Sequence, residues 1–142
     1  MKTSARNFFK GEVVQVKSGA VNDEVELKLD SGTVITAIIT RDSSARLGLK
    51  VGAKAFALIK SSFVVIATEM ENVKVSTRNC LAGTVTQVTT GAVNSEVAID
   101  LGQGNSIVAI VTNESCKNLG LKAGVQATAL FKASSVILGV EG

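Results

Sequence analysis

Asn22-Asp23-Glu24-Val25-Glu26-Leu27-Lys28-Leu29-Asp30-Ser31-Gly32-Thr33-Val34-Ile35-Thr36-Ala37-Ile38-Ile39 alternates apolar and charged side chains, breaks at Asp-Ser-Gly, then resumes rich in Val and Ile. A period of two marks a half-buried strand, because successive side chains leave a strand on opposite faces. Asp30-Ser31-Gly32 is a turn signal between two such runs, so the stretch predicts a β-hairpin. Upstream, Gly11 to Lys17 is Val-rich and predicts another strand. Downstream, Asp42-Ser43-Ser44-Ala45-Arg46-Leu47-Gly48 predicts one short helix, with Asp42 able to cap it and Gly48 able to end it in the left-handed conformation. Lys50-Val51-Gly52 then turns into two further strands, Ala53 to Lys60 and Phe63 to Ala67. Five short strands with a helix between the third and fourth are the plan of an OB-type barrel.

The same plan is written twice. Sliding the sequence by 72 residues sets Ser4 on Ser76 and Ala67 on Gly139 without a gap, and about half of the paired positions are identical. The reading is all-β: two tandem OB-like five-stranded barrels, each with one short helix. The first domain is expected over residues 1–68, a polar linker over 69–75 and the second domain over 76–142. A barrel of about 65 residues buries only about 60% of its unfolded surface and is marginal alone.

Composition narrows the function. The 142 residues include 15 Lys plus Arg, 12 Asp plus Glu and two Cys, with no His, Pro, Trp or Tyr. General acid–base chemistry near neutral pH most often uses His, zinc sites usually take His or Cys, and base-stacking surfaces need aromatic rings. An enzyme is therefore not expected, and neither is a bound metal cation or an organic cofactor. A hydrophobic content of 46% is high for so small a chain and suggests burial between subunits. Its apolar runs are far shorter than the ~20 residues of a spanning helix, and no apolar stretch follows the polar Met1 to Asn7, so a cytoplasmic protein is expected. Cys80 and Cys116 align with Phe8 and Ser44 and read as small buried side chains rather than a disulfide pair.

Three clusters of donors survive the duplication. Ser4, Arg6 and Asn7, matched by Ser76, Arg78 and Asn79, precede the first strand of each repeat. Thr40 and Ser43, matched by Thr112 and Ser115, stand at the helix start, where free backbone N–H groups and a positive dipole end attract anions. Lys60 and Ser62, matched by Lys132 and Ser134, lie at the turn between the last two strands. Each has a plainer reading: helix-capping hydroxyls, a polar turn, a solvated charge. Gly19-Ala20-Val21-Asn22 and Gly91-Ala92-Val93-Asn94 read as tight turns, with Asn tolerating positive φ, or as runs of exposed backbone donors. Jointly and twice over, the clusters favour a site for a small oxyanion.

Ser-Ala-Arg-Asn-x3-Gly, Val-x2-Gly-Ala-Val-Asn-x-Glu-Val, Thr-x2-Ser, Leu-Gly-Leu-Lys-x-Gly and Lys-Ser-Ser together resemble the Mop domain of the molbindin family, over nearly the whole chain. The resemblance implies a cytoplasmic protein of molybdenum storage and homeostasis. It also implies binding of molybdate or tungstate as a homotrimer with sites between subunits; no membrane partner is expected, and a nucleic-acid partner is not favoured. Carried over by position, the ligand-binding residues fall on Ser4, Ala5, Arg6, Asn7, Thr40, Ser43, Lys60, Ser61 and Ser62. In the second repeat they fall on Ser76, Thr77, Arg78, Asn79, Thr112, Ser115, Lys132, Ala133 and Ser134. A second class of anion site near the oligomer axis is implied at Gly19, Ala20, Val21 and Asn22, and at Gly91, Ala92, Val93 and Asn94. Ala133 replaces Ser61 and Thr77 replaces Ala5, so the two domains are open to a difference in affinity. The alternative is an OB-type single-stranded nucleic-acid binder, weakened because Phe8, Phe9, Phe56, Phe63 and Phe131 are none of them kept between copies.

Overall fold

In the computed structural model, which describes residues 1–142, the alternation of the first repeat becomes an antiparallel meander of β1 (Asn7–Ser18), β2 (Asn22–Leu29) and β3 (Val34–Thr40). Val25, Leu27 and Leu29 of β2 are buried while Lys28 is exposed, as the period of two requires. A bulge between Val13 and Gln15 bends β1, so that one strand pairs with β2 along one half and with β4 (Lys54–Ile59) along the other. Gly11 sits where a side chain cannot: a Cβ there would lie 2.5 Å from the Lys28 carbonyl oxygen.

The short helix α1 (Arg41–Leu47) lies between β3 and β4 and is capped by Thr40, with Asp42 in its first turn. The capping role expected of Asp42 therefore belongs to Thr40. The physical reason is that β3 runs on to Thr40, whose extended backbone (φ −67°, ψ 147°) turns its hydroxyl back onto the Ser43 N–H. Gly48 ends the helix at φ 66°, as read from the sequence.

Two five-stranded sheets form, each with one short helix, as the sequence predicts. The origin of the fifth strand is what the sequence did not reveal. The first sheet has the order β10-β4-β1-β2-β3, and β10 (Ile137–Gly139) comes from the second repeat. Within that unit (Met1–Ile59 with Lys132–Gly142), β10 and the 3-10 turn Ala133–Ser135 pack against β3, so the sheet's two edges meet. Val13, Val25, Leu27, Ile35 and Ile59 fill its core.

The other unit, Lys60–Phe131, repeats the plan. Its strands are β5 (Val65–Ala67), β6 (Asn79–Thr90), β7 (Asn94–Gly102), β8 (Asn105–Thr112) and β9 (Gln126–Phe131), in the order β5-β9-β6-β7-β8. The helix α2 (Asn113–Asn118) is capped by Thr112, and the 3-10 turn Ser61–Phe63 packs against β8. Val85, Val97, Ile99, Ile107 and Phe131 are its core. The compact units are therefore not the sequence repeats, since each contains the last strand of the other repeat. No helix is long and apolar enough to cross a membrane.

Candidate functional site

Two of the three donor clusters meet, and they come from different repeats. In the first unit a cavity of about 500 Å³ is lined by Thr40 and Ser43 of the helix start and by Ser134 of the 3-10 turn. Lys132-Ala133-Ser134, not Lys60-Ser61-Ser62, is thus the turn that accompanies Thr40 and Ser43. In the second unit the turn Ser61–Phe63 lies against β8, the strand that ends in Thr112.

The hydroxyls at each helix start form a relay. Thr40 Oγ1 accepts the Ser43 N–H at 3.1 Å and donates to Ser43 Oγ at 2.8 Å, which leaves the Ser43 proton free to point outward. Thr112 and Ser115 repeat this at 3.0 Å and 2.8 Å. Capping and ligand binding are therefore compatible rather than rival readings of these residues. The helix start does not, however, present the run of free amides that the sequence suggested. The Ser43 N–H is taken by its cap, and the Arg41 N–H donates to the Val21 carbonyl at 2.8 Å. Hydroxyls and a cation are among the outward donors.

That cation is Arg46, which the sequence reading missed. Its Nη2 donates to Ser43 Oγ at 3.4 Å, and its side chain lines the cavity. Duplication could not flag it, because Asn118 stands at the matching position. The one signal available was helical spacing: Arg46 follows Ser43 by three residues and so shares its face. Asn22 also lines the cavity, because it pairs across the β2–β3 ladder with Thr40. No carboxylate lines the cavity, and Ile38, Ile39, Leu47, Val136, Ile137 and Leu138 complete its wall.

The remaining residues sit elsewhere. Ser4, Ala5, Arg6 and Asn7 lie at the start of β1 and do not line the cavity. Asn7 is 1% exposed and its amide donates to the Ile59 carbonyl at 3.1 Å, which fixes the start of β1 against the end of β4. Asn79 is equally buried at the start of β6. The Ala5 N–H donates to Thr3 Oγ1, and Ser4 and Arg6 are exposed beside it. In the second unit Ser76 and Arg78 are likewise exposed, and the Thr77 carbonyl accepts from Cys80 Sγ. The Lys60 ammonium lies 5.4 Å over the Phe63 ring, whereas Ser135 takes the place of that ring after Lys132. Ser61 and Ala133 are both 5% exposed. The side chain at this position faces the interior in either copy, so the alanine removes no outward hydroxyl. Gly19-Ala20-Val21-Asn22 is closed by a Gly19 N–H bond to the Asn22 carbonyl at 2.8 Å. It needs no positive φ at Asn22, because that residue already begins β2. Its duplicate at Gly91 to Asn94 closes alike at 2.9 Å.

A family model described as the TOBE domain matches residues 3–66 and again 75–138. The chain belongs to the TOBE family. This tandem-TOBE chain is 48% identical over 142 residues to the molybdenum transport protein ModE of Azotobacter vinelandii, covering 100% of itself and 52% of that protein. It is 49% identical over 140 residues to the molybdenum-pterin-binding protein MopA of Rhodobacter capsulatus, covering 99% of itself and 53% of that protein. It therefore spans about half the length of these curated relatives. Among solved structures it matches the cytoplasmic molybdate-binding protein ModG with molybdate bound, at 45% identity and a TM-score of 0.96, over 99% of this chain and 100% of that one. The TOBE pair thus has a whole-length structural counterpart that holds an oxyanion.

Proposed function

We propose that this tandem-TOBE protein binds molybdate, and tungstate with it, reversibly, as a cytoplasmic store or buffer of molybdenum rather than as an enzyme. The observation that carries the reading is the convergence of Asn22, Thr40, Ser43, Arg46 and Ser134 on one cavity without a carboxylate. Likeness along the whole chain to a protein with molybdate bound supports it.

Molybdate is a tetrahedral dianion that already holds its four oxo ligands, so its binder has to supply donors and positive charge rather than metal ligands. A hydrogen bond to a charged group contributes roughly 1.5–3 kcal/mol, and micromolar binding needs about 8 kcal/mol. Four to six donors reach that figure. The cavity wall supplies several of them, and Ser4, Ala5 and Arg6 of another subunit supply the rest in a homotrimer with the site at its interfaces, while Asn7, buried and bonded to the Ile59 carbonyl, holds that segment in place. The apolar residues exposed beside the site, Ile38 and Ile137, suit such an interface. The matching set in the second unit is Ser76, Thr77, Arg78, Thr112, Ser115, Lys60 and Ser62, with Asn79 and Ser61 buried behind it. The turns at Gly19 to Asn22 and Gly91 to Asn94, with Val21 and Val93 exposed at their tips, are proposed for the second class of anion site.

Equilibrium dialysis with metal analysis, on protein of known oligomeric mass, tests the reading. Molybdate is expected to bind and to raise Tm, while an equal concentration of sulfate has little effect; an equal response to both anions defeats the proposal. Arg46→Asn is expected to weaken binding about tenfold at the first unit's site while leaving Tm nearly unchanged. The single-stranded nucleic-acid alternative is not favoured, since Phe9, Phe56 and Phe131 are buried core residues.

A further inference from the structure

Each sheet accepts a three-residue last strand, and the two candidate strands are almost interchangeable. Along β4, Ile137, Leu138 and Gly139 pair with Leu58, Ala57 and Phe56. Along β9, Val65, Ile66 and Ala67 pair with Leu130, Ala129 and Thr128. The first two rungs set an aliphatic residue against Leu and then another against Ala in both sheets, so they cannot tell the strands apart. Chain length does not decide either. Residues 60–64 connect β4 to β5, the span of an ordinary hairpin loop, so β5 has the reach to fold back onto β4.

The third rung differs. A Cβ placed on Gly139 would lie 2.3 Å from Phe56 Cζ and 2.6 Å from its Cε1. Withdrawing the ring would break its stacking on Phe8, whose centroid lies 5.2 Å away, and move a side chain that is only 8% exposed. Ala67 in that place would carry this very methyl. In the second sheet Thr128 replaces Phe56 and Cys80 replaces Phe8, and Ala67 is accommodated opposite Thr128.

We propose that Phe56 and Gly139 form a size lock that rejects β5 from the first sheet, admits β10, and so puts Ser134 rather than Ser62 beside Thr40 and Ser43. Because each sheet takes one last strand, rejecting β5 at β4 settles both positions. Phe56 and Gly139 are thus positioning residues for the anion site: they touch no ligand, but they decide which repeat's turn completes it. The consequence for binding rests on the molybdate reading above; the routing of the strands does not.

Paired cysteines in the full-length protein test the routing directly. Residues opposite each other on antiparallel strands have Cα atoms within disulfide range. Ala57→Cys with Leu138→Cys is expected to cross-link, and Ala57→Cys with Ile66→Cys is not. Moving the glycine, by Gly139→Ala with Ala67→Gly, is expected to transfer cross-linking to the position 57 and 66 pair; persistence of the 57 and 138 cross-link at full yield overturns the lock. If that variant fails to fold, Gly139→Ala alone is compared with Gly139→Ala/Phe56→Thr. The single change is expected to lower Tm by about 5 °C or more and to weaken molybdate binding about tenfold, and removing the ring to recover both. An unchanged Tm in Gly139→Ala, or no recovery in the double variant, also overturns it. Cross-linking of positions 57 and 138 together with failure of the unsubstituted protein to bind molybdate would instead remove the functional reading and leave the lock standing.

Discussion

The two units keep the same donors on differently built supports. Both helix starts carry the Thr–Ser relay at 2.8 Å, yet the first unit adds Arg46 where the second has Asn118. The first buries the carboxylate of Asp23, 4% exposed, with Oδ1 unpartnered. The second puts Ser95 there, and its hydroxyl donates to Asn113 Oδ1 at 2.6 Å. The first stacks Phe8 on Phe56 where the second has Cys80 and Thr128. Relays and turns repeat because both units follow one strand plan, while the residues behind them diverge.

If this comparison is sound, the shared strand plan should break in both units alike. Gly83→Ala would place a Cβ 2.2 Å from the Asp100 carbonyl oxygen, and Gly11→Ala would place one 2.5 Å from that of Lys28. Neither backbone can yield without disturbing the β1–β2 or β6–β7 ladder, so each change is expected to cost about 2–3 kcal/mol in urea unfolding. Tolerance in one sheet and not the other would show that the two ladders are not equivalent.

Transplanting a diverged support sharpens the comparison from the other side. Asp23→Ser with Arg41→Asn recreates in the first unit the Ser95–Asn113 pair of the second. It removes a buried, unpartnered carboxylate oxygen, and a gain of about 1–2 kcal/mol is expected. Loss of stability would mean that Asp23 has a partner in the assembled protein. At the shared relay, Thr40→Ala and Thr112→Ala are each expected to cost about 1 kcal/mol as lost caps. Equal losses of stability with unequal losses of molybdate affinity would assign the difference between sites to Arg46.

Much of this was legible in the sequence, for reasons that also mark where legibility stopped. Strand alternation such as Val25-Glu26-Leu27-Lys28-Leu29 and the helix-ending Gly48 are local signals, and both elements form as read. Provenance of the fifth strand is not local. Val64-Val-Ile-Ala and Val136-Ile-Leu-Gly match in hydropathy and differ chiefly by one methyl at the third rung, whose meaning depends on a ring at position 56. The expectation that Lys60 to Ser62 would accompany Thr40 followed from reading each repeat as closing on itself. Arg46 escaped because keeping a residue twice was the filter, and the two units are not alike at that position.

The smallest effect concerns the outer ends of the ladders. Lys54 Nζ reaches Glu12 Oε1 at 3.0 Å in the first unit, with 82% and 47% of the two side chains exposed. At the matching place in the second, Gln126 Nε2 donates to Thr84 Oγ1 at 2.9 Å. An exposed ion pair gains little in water, loses side-chain freedom and is screened by salt, so it should stabilise no more than the neutral bond that replaces it. Lys54→Gln with Glu12→Thr is therefore expected to change stability by less than about 0.5 kcal/mol at low salt and to abolish whatever salt dependence the pair contributes. Unfolding in urea at about 10 mM and about 1 M salt reads both quantities, since the Debye length falls from about 30 Å to about 3 Å between them. A loss well above that bound would mean the ion pair belongs to a larger charge network. Lys10 of β1 with Glu141, at 3.1 Å, is the pair through which such a network would run, because it ties the segment after β10 to β1 beside the ring of Phe56.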